Sequence, residues 1–193
     1  MLTRYANEDN DQAMATPPTK QVCKWFLTNE HPSSTFMSAL GVRTSTLHEW
    51  AHRGYLIFPK TGKGRTLYLS ASELLMARAL NIISKSGGTP KLFRLEELRN
   101  IINIFLSEIL NCCTNEKDFP AKIAYFGYKY SDKEDLQMTW ILYDTEEFFQ
   151  KLFPNTPFQD PEDDSENHEF YFTLNLNFIL YNTARIVWKH AHA

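Results

Sequence analysis

Side chains that could bind phosphate are concentrated between Arg43 and Tyr68. This stretch contains five Lys or Arg and one acidic residue, although the whole chain has a net charge of −3. The guanidinium of Arg65 can bind two phosphate oxygens at once, which a lysine ammonium cannot do. Lys60 and Lys63 can contact phosphate or form only a solvated loop tip, and Tyr68 can donate its hydroxyl to phosphate or serve only in packing. These residue types predict a nucleic-acid surface.

A second group of polar residues lies at the predicted start of a helix in the same stretch. Thr44, Ser45 and Thr46 would present hydroxyls and backbone N–H groups there, which suits phosphate binding but also ordinary helix capping. The exposed side of this helix is predicted to meet the edges of DNA bases. The remaining candidate DNA contacts on or near it are Arg43, His48, Glu49 and Arg53.

The charge of the chain is distributed unevenly along its length. Residues 37–94 contain nine Lys or Arg and two Asp or Glu, a balance of +7, whereas residues 95–193 contain eight and seventeen, a balance of −9. Residues 1–36 contribute −1. Chance variation is the alternative, but exposed faces usually mix both signs, so a compact positive segment favours a phosphate-binding function.

Helix and turn signals predict a helix-turn-helix unit followed by a hairpin. TFMSAL predicts a first helix. RTSTLHEWAHR predicts a second helix, with Thr44 or Ser45 as N-cap, Leu47 and Trp50 facing inward, and Gly54 as its stop. The runs YLIF and RTLYL around a Gly-Lys-Gly tip then predict a β-hairpin, which in a winged helix is the wing.

This order of features resembles the MerR-type winged-helix DNA-binding domain. LGVRTSTLHEWAHRGYLIFPKTGKGRTLYLSASEL keeps the landmarks of that family at nearly the same spacing. The resemblance implies a recognition helix in the major groove, a wing on phosphates, and a homodimer formed through the helix that follows the domain. The matching residues are Gly41, Val42, Thr46, Leu47, Trp50, Gly54, Pro59, Arg65 and Tyr68.

The segment departs from the family pattern at the recognition helix and at the wing. His48 and Glu49 stand where the family usually has an arginine and, in its metal-responsive members, an aromatic residue. Gly64 replaces an aromatic residue of the wing. A histidine and a carboxylate can still exchange hydrogen bonds with base edges, so we expect a DNA sequence preference particular to this chain.

The long helix predicted after the winged helix has apolar residues at alternating spacings of three and four. This rhythm is typical of a coiled-coil dimer seam, but a helix packed inside one chain shows it as well. We predict dimerisation through this face and keep an intrachain core as the alternative. The residues of this face are Leu95, Leu98, Ile102, Phe105 and Ile109.

The rest of the chain predicts a small α+β domain. AKIAYFGYKY, LQMTWILYD and EFYFTLN alternate like three strands of an antiparallel sheet. A final helix can begin at Asn175 or Asn177, or the third strand can continue to Leu180. The predicted fold class is α+β, divided into a disordered tail (1–19), a MerR-like winged helix (20–90), a linker and dimerisation helix (91–115) and a C-terminal domain (116–193).

Other chemistries have little support in the sequence. No P-loop, Gly-x-Gly-x-x-Gly or Gly-x-Ser-x-Gly pattern is present, so we predict no enzyme, no catalytic residue and no cofactor. Cys112 and Cys113 could sense metal or redox state, but adjacent thiols chelate poorly alone and we predict no metal site. The three cysteines do not make a disulfide framework. No apolar run is long enough to span a membrane, so we expect no membrane partner.

We therefore expect a sequence-specific double-stranded DNA-binding transcriptional regulator that acts as a homodimer in the cytoplasm, at the nucleoid. Its C-terminal domain would contact RNA polymerase or another protein, or bind an effector. The alternative is a phage, mobile-element or chromosome-architecture protein of the excisionase, packaging or partition type, with the same winged helix. A protein-interaction adaptor with a degenerate winged helix is a third class, and steep salt dependence of DNA binding would exclude it.

Overall fold

The computed structural model describes residues 19–34, 37, 42–58, 68–86, 90, 93–130, 136–146 and 170–192. The predicted tail lies outside this part except for Thr19. Helix α1, Lys20–Thr28, begins where the Thr19 hydroxyl accepts a hydrogen bond from the amide of Val22 at 3.3 Å. It buries Cys23 and Phe26.

A short sheet and a helix follow α1. Strand β1, His31–Pro32, pairs antiparallel with strand β2, Tyr68–Leu69. Helix α2, Thr44–His52, lies between the two strands in sequence. Of TFMSAL, the helix predicted before α2, only Met37 lies within the described residues; it is helical, as are positions 33 and 34 before it.

Two long helices form the centre of the molecule. Helix α3, Ala71–Lys85, begins where the Ser70 hydroxyl accepts a hydrogen bond from the amide of Glu73 at 3.3 Å. It buries ten of its fifteen residues, which is more than a single apolar stripe, because neighbouring helices cover it on several sides. Helix α4, Leu95–Thr114, packs against α3 and has the bounds expected for the long helix.

The C-terminal part adds a three-stranded antiparallel sheet and a last helix. The strands are β3, Lys122–Tyr130, β4, Leu136–Asp144, and β5, Phe170–Asn175, in the order β4-β3-β5. Phe126 in the central strand stands opposite Trp140 on one side and Phe172 on the other. The three predicted strands are confirmed.

The junction between β5 and helix α5, Leu176–Ala191, resolves an ambiguity of the sequence. The Asn175 side chain accepts a hydrogen bond from the amide of Phe178 at 2.9 Å, so Asn175 caps the helix. Leu180 is fully buried within α5. The alternative of a strand continuing to Leu180 is wrong.

One hydrophobic core connects these elements. It extends from Cys23 in α1 to Val187 in α5 and includes side chains of α2, α3, α4 and the larger sheet. Helix α5 packs against α1 and α3, and α4 packs against β4. The core therefore crosses both domain boundaries predicted near residues 90 and 115. Helices and antiparallel sheets occur together, as expected of the α+β class.

Candidate nucleic-acid interface

Helix α2 is attached to the core by one side only. Leu47 and Trp50 are 3% and 6% exposed, as their predicted inward positions require, and Val42 just before the helix is also buried. The opposite side of the helix is in solvent. The exposed residues there are Arg43, Thr44, Ser45, His48, Glu49, His52 and Arg53, and Thr46 is half-buried.

The start of α2 differs from the prediction. Arg43, rather than Thr44 or Ser45, is the N-cap residue, and it makes no side-chain capping bond. Its carbonyl oxygen accepts hydrogen bonds from the amides of Thr46 at 3.0 Å and Leu47 at 3.2 Å, so the helix begins one residue earlier than a hydroxyl cap would allow. The hydroxyls of Thr44 and Ser45 are therefore not used in capping and stay on the exposed first turn.

The end of α2 is a turn that requires glycine. Gly54 has a φ of 73°, in the left-handed region that other residues adopt only with strain. Its amide donates to the carbonyl of Ala51 at 3.0 Å, and the amide of Tyr55 donates to the carbonyl of Trp50 at 2.8 Å. This pair of bonds is the Schellman arrangement of a helix C-terminus. The predicted role of Gly54 as the helix stop is confirmed.

The exposed side of α2 has an ion pair. Arg53 and Glu49, one turn apart, are bonded through their side chains, which keep 42% and 54% of their surface exposed. Such exposed pairs contribute little to stability. The carboxylate does, however, offset the charge of Arg53. Within the described residues, Arg43 is the cation of this face that has no acidic partner.

A buried ion pair holds the chain where it leaves α2. Glu73 of α3 and Arg99 of α4 are 3.2 Å apart, and their side chains are 10% and 15% exposed. The second oxygen of Glu73 accepts a hydrogen bond from the amide of Ile57 at 2.7 Å. Arg99 also donates to the carbonyl of Tyr55 at 2.8 Å. Each buried charge thus has an ionic partner and a backbone partner, and two core helices fix residues 55–57.

The predicted wing is described only at its base. Lys60, Lys63 and Arg65 lie outside the described residues. Tyr68 is 44% exposed beside the fully buried Leu69, so its hydroxyl can reach a ligand. The described residues of the YLIF run, 55–58, are not in a strand, and β2 pairs with β1 instead. That part of the hairpin prediction is wrong: the amide of Ile57 and the carbonyl of Tyr55 bond to the side chains of Glu73 and Arg99 instead of to a strand partner.

The five residues predicted to form a dimer seam are inside the chain. Leu98, Phe105 and Ile109 are fully buried, Ile102 is 1% exposed and Leu95 is 9% exposed. They belong to the core that α4 shares with the other helices. This face is therefore already occupied within one chain, which corrects its predicted use and favours the intrachain alternative.

The three cysteines of the chain come together where α1, α4 and α5 meet. Cys23 and Cys113 are close enough for a negative charge on Cys113 to raise the pKa of Cys23. Burial raises the pKa of Tyr181 in α5, and all three cysteines are close enough to raise it further. Burial raises the pKa of the Cys23 thiol to about 12, and burial beside Cys112 also raises the pKa of Cys113. Protonated thiols are poor metal ligands and poor nucleophiles. Among the described residues, no group of three or more His, Cys, Asp or Glu could hold a metal ion.

Sequence reasoning missed two features of the site. Glu73 and Arg99 are far apart in the chain, and no local pattern connects them. Sequence reasoning also found no metal-ligand spacing among the histidines, which is wrong: His48, Glu49 and His52 have the H-E-x-x-H spacing, which on a helix places both imidazoles on one side. Both histidines are exposed.

No protein-family profile and no curated protein sequence matches this chain. The resemblance to MerR-type domains therefore depends on the landmark residues between Gly41 and Tyr68 alone. No helix in the part of the chain that the structure describes is long and apolar enough to cross a membrane.

Proposed function

We propose that the chain binds double-stranded DNA sequence-specifically through α2 and acts as a homodimeric transcriptional regulator. The observation that carries the proposal is the one-sided burial of α2. Leu47 and Trp50 fix the helix to the core, and its opposite side presents hydroxyls, imidazoles and charged groups to solvent. A single helix held in this way fits the major groove of B-form DNA, where such side chains can meet base edges.

The proposed contacts divide into phosphate and base contacts. The uncapped first turn of α2, with Arg43, Thr44 and Ser45, has the exposed amides, hydroxyls and cation that suit a phosphate. His48 and Glu49, further along the exposed side, would meet bases. Further contacts to the sugar-phosphate backbone of DNA would come from Arg53, Lys60, Lys63, Arg65 and Tyr68. The balance of +7 over residues 37–94 supplies the long-range attraction to DNA.

The homodimer needs a surface other than the predicted seam, since those five side chains are in the core. Symmetric regulators place two recognition helices about one turn of DNA apart, so the dimer sets the spacing of half-sites. Light scattering during gel filtration at micromolar concentration measures the mass in solution. A strictly monomeric mass would contradict the proposed homodimer. It would not affect the proposal that α2 binds DNA, which is tested separately.

DNA binding is tested by fluorescence anisotropy with a labelled duplex over a range of salt concentrations. We expect affinity to fall steeply with salt, and replacement of Arg43 by Gln to reduce the slope of log K against log salt by about 0.9, the contribution of one phosphate contact. Lys189→Gln, which removes an exposed cation from α5, is the matched control and should leave the slope unchanged. Equal effects of the two substitutions would sink the proposed use of α2.

Two other functions make different predictions. A protein-interaction adaptor would show no salt-dependent DNA binding. A phage, mobile-element or chromosome-architecture protein would bind DNA in the same way, but its mapped sites would cluster at phage ends or attachment sites. Palindromic sites over promoters would support the regulator.

A further inference from the structure

Two histidines lie one turn apart on the exposed side of α2. The helix is continuous from Thr44 to His52, and its buried residues, Leu47 and Trp50, turn His48 and His52 toward solvent. Residues four apart on a helix are neighbours, with about 5–6 Å between their Cβ atoms. Their imidazoles can therefore converge on one atom between them.

The ring nitrogens of both histidines are available for binding. Neither His48 nor His52 has a hydrogen-bond or ion-pair partner in the described portion of the chain. The charged groups beside them, Glu49 and Arg53, are bonded to each other in a parallel row on the same helix. No bond has to be broken before the two imidazoles bind a ligand.

We propose that His48 and His52 form a two-ligand site for a divalent transition-metal ion of the zinc, nickel or copper type. Neutral imidazole is a preferred ligand of these ions, and metal–nitrogen bonds of about 2.0–2.1 Å fit between side chains at this spacing. Water molecules complete the coordination. The site is separate from the three cysteines, which lie where α1, α4 and α5 meet.

The described residues provide two metal ligands but not the arrangement of a hydrolase. In hydrolases that use this spacing, the glutamate acts as a general base and a third protein ligand completes the zinc site. Here the Glu49 carboxylate is bonded to Arg53. Among the described residues, no cluster of three candidate ligands supplies the third position.

Calorimetric titration of the full chain, prepared without a histidine tag, with Zn²⁺ or Ni²⁺ tests the proposal without any nucleic acid. We expect one ion per chain. His48→Gln and His52→Gln should each weaken binding by more than about tenfold, since even loss of a residue that only supports a ligand costs about 10–100-fold. His190→Gln is the control, because it removes an exposed histidine of α5 that has no second histidine four residues away. This substitution should leave metal binding unchanged.

Substitution with Co²⁺ identifies the ligands independently. We expect the weak visible bands of nitrogen and oxygen ligation. Thiolate charge-transfer bands would place the ion on the cysteines and overturn the proposal. It would equally be overturned if either α2 variant bound Zn²⁺ and Ni²⁺ as tightly as the unsubstituted chain does.

Discussion

Helices α2 and α3 both bury apolar side chains in the core, but they differ in how much of their surface stays exposed. Helix α2 buries two of its nine residues and α3 buries ten of fifteen. A helix attached by two side chains keeps most of its surface for a ligand, whereas a helix enclosed by its neighbours contributes to stability alone. The comparison shows where substitutions should change binding and where they should change folding.

The ion pairs of the two regions differ in the same way. Glu49 and Arg53 on α2 are exposed and replaceable, but Glu73 and Arg99 are nearly enclosed. A carboxylate left alone in a buried site keeps its desolvation cost and loses its partner, while one left alone in water loses almost nothing. The same type of ion pair therefore stabilises the fold between α3 and α4, whereas on α2 it remains available for binding a ligand.

The largest expected effect is on the free energy of unfolding and comes from a substitution in α3. Leu80 is fully buried, so Leu80→Ala should lower the free energy of unfolding by about 2–5 kcal/mol, through lost apolar burial and a residual cavity. Ser45→Ala on the exposed first turn of α2 should change it by less than about 0.5 kcal/mol. Urea denaturation measures both. Similar losses for the two variants would remove the distinction between the helices.

Breaking the two ion pairs sharpens the comparison. Arg99→Met should cost about 3 kcal/mol of unfolding free energy, the lower end for buried pairs because both side chains keep some exposure. Arg53→Met should cost less than about 1 kcal/mol, since its pair is exposed. If the Arg99 variant is as stable as the Arg53 variant, the buried pair does not hold residues 55–57 as described.

The buried histidine next to β2 predicts a pH effect on stability. Burial lowers the pKa of His31, opposed by its hydrogen bond to the carbonyl of Phe26 at 2.9 Å. The unfolded chain therefore takes up a proton near the ordinary pKa of 6.5, and the folded chain does so only at lower pH. Unfolding free energy should fall as pH drops below about 6.5. A His31→Gln variant that loses stability just as steeply between pH 7 and 5 would exclude His31 as the cause.

The smallest expected effect concerns affinity rather than folding. Glu49→Gln removes a negative charge from the exposed side of α2 and releases Arg53, so DNA affinity should rise by less than about tenfold, with a steeper dependence on salt. Glu116→Gln, an exposed acid just after α4, is the control and should have little effect. A drop in affinity for one DNA sequence alone would instead assign Glu49 to a base contact.

Local patterns predicted most of the elements. Gly54 and Asn175 act where their chemistry predicts, because capping and positive φ depend on a few neighbouring residues. The N-cap at Arg43 was missed because its backbone carbonyl begins the helix and a side chain is not needed. The N-cap of α2 was therefore predicted one or two residues too late, at Thr44 or Ser45 instead of Arg43.

Long-range packing was not predictable in the same way. Leu98, Phe105 and Ile109 have a spacing that fits a dimer seam and a core face equally well, and only the position of the other helices decides between them. The contact between Glu73 and Arg99 has no sequence signature at all. The exposed side of α2 was predictable because the two apolar residues, Leu47 and Trp50, must face the core, and this fixes the orientation of the nine-residue helix about its axis.

The continuous core has a consequence for modularity. A fragment ending at residue 90 would retain α2 but leave behind Arg99 and the surfaces of α4 and α5 that cover α3. Grafted onto another protein, α2 and the turn after it would arrive without the scaffold that orients them. Any transplant of this surface must therefore carry the C-terminal half of the chain with it.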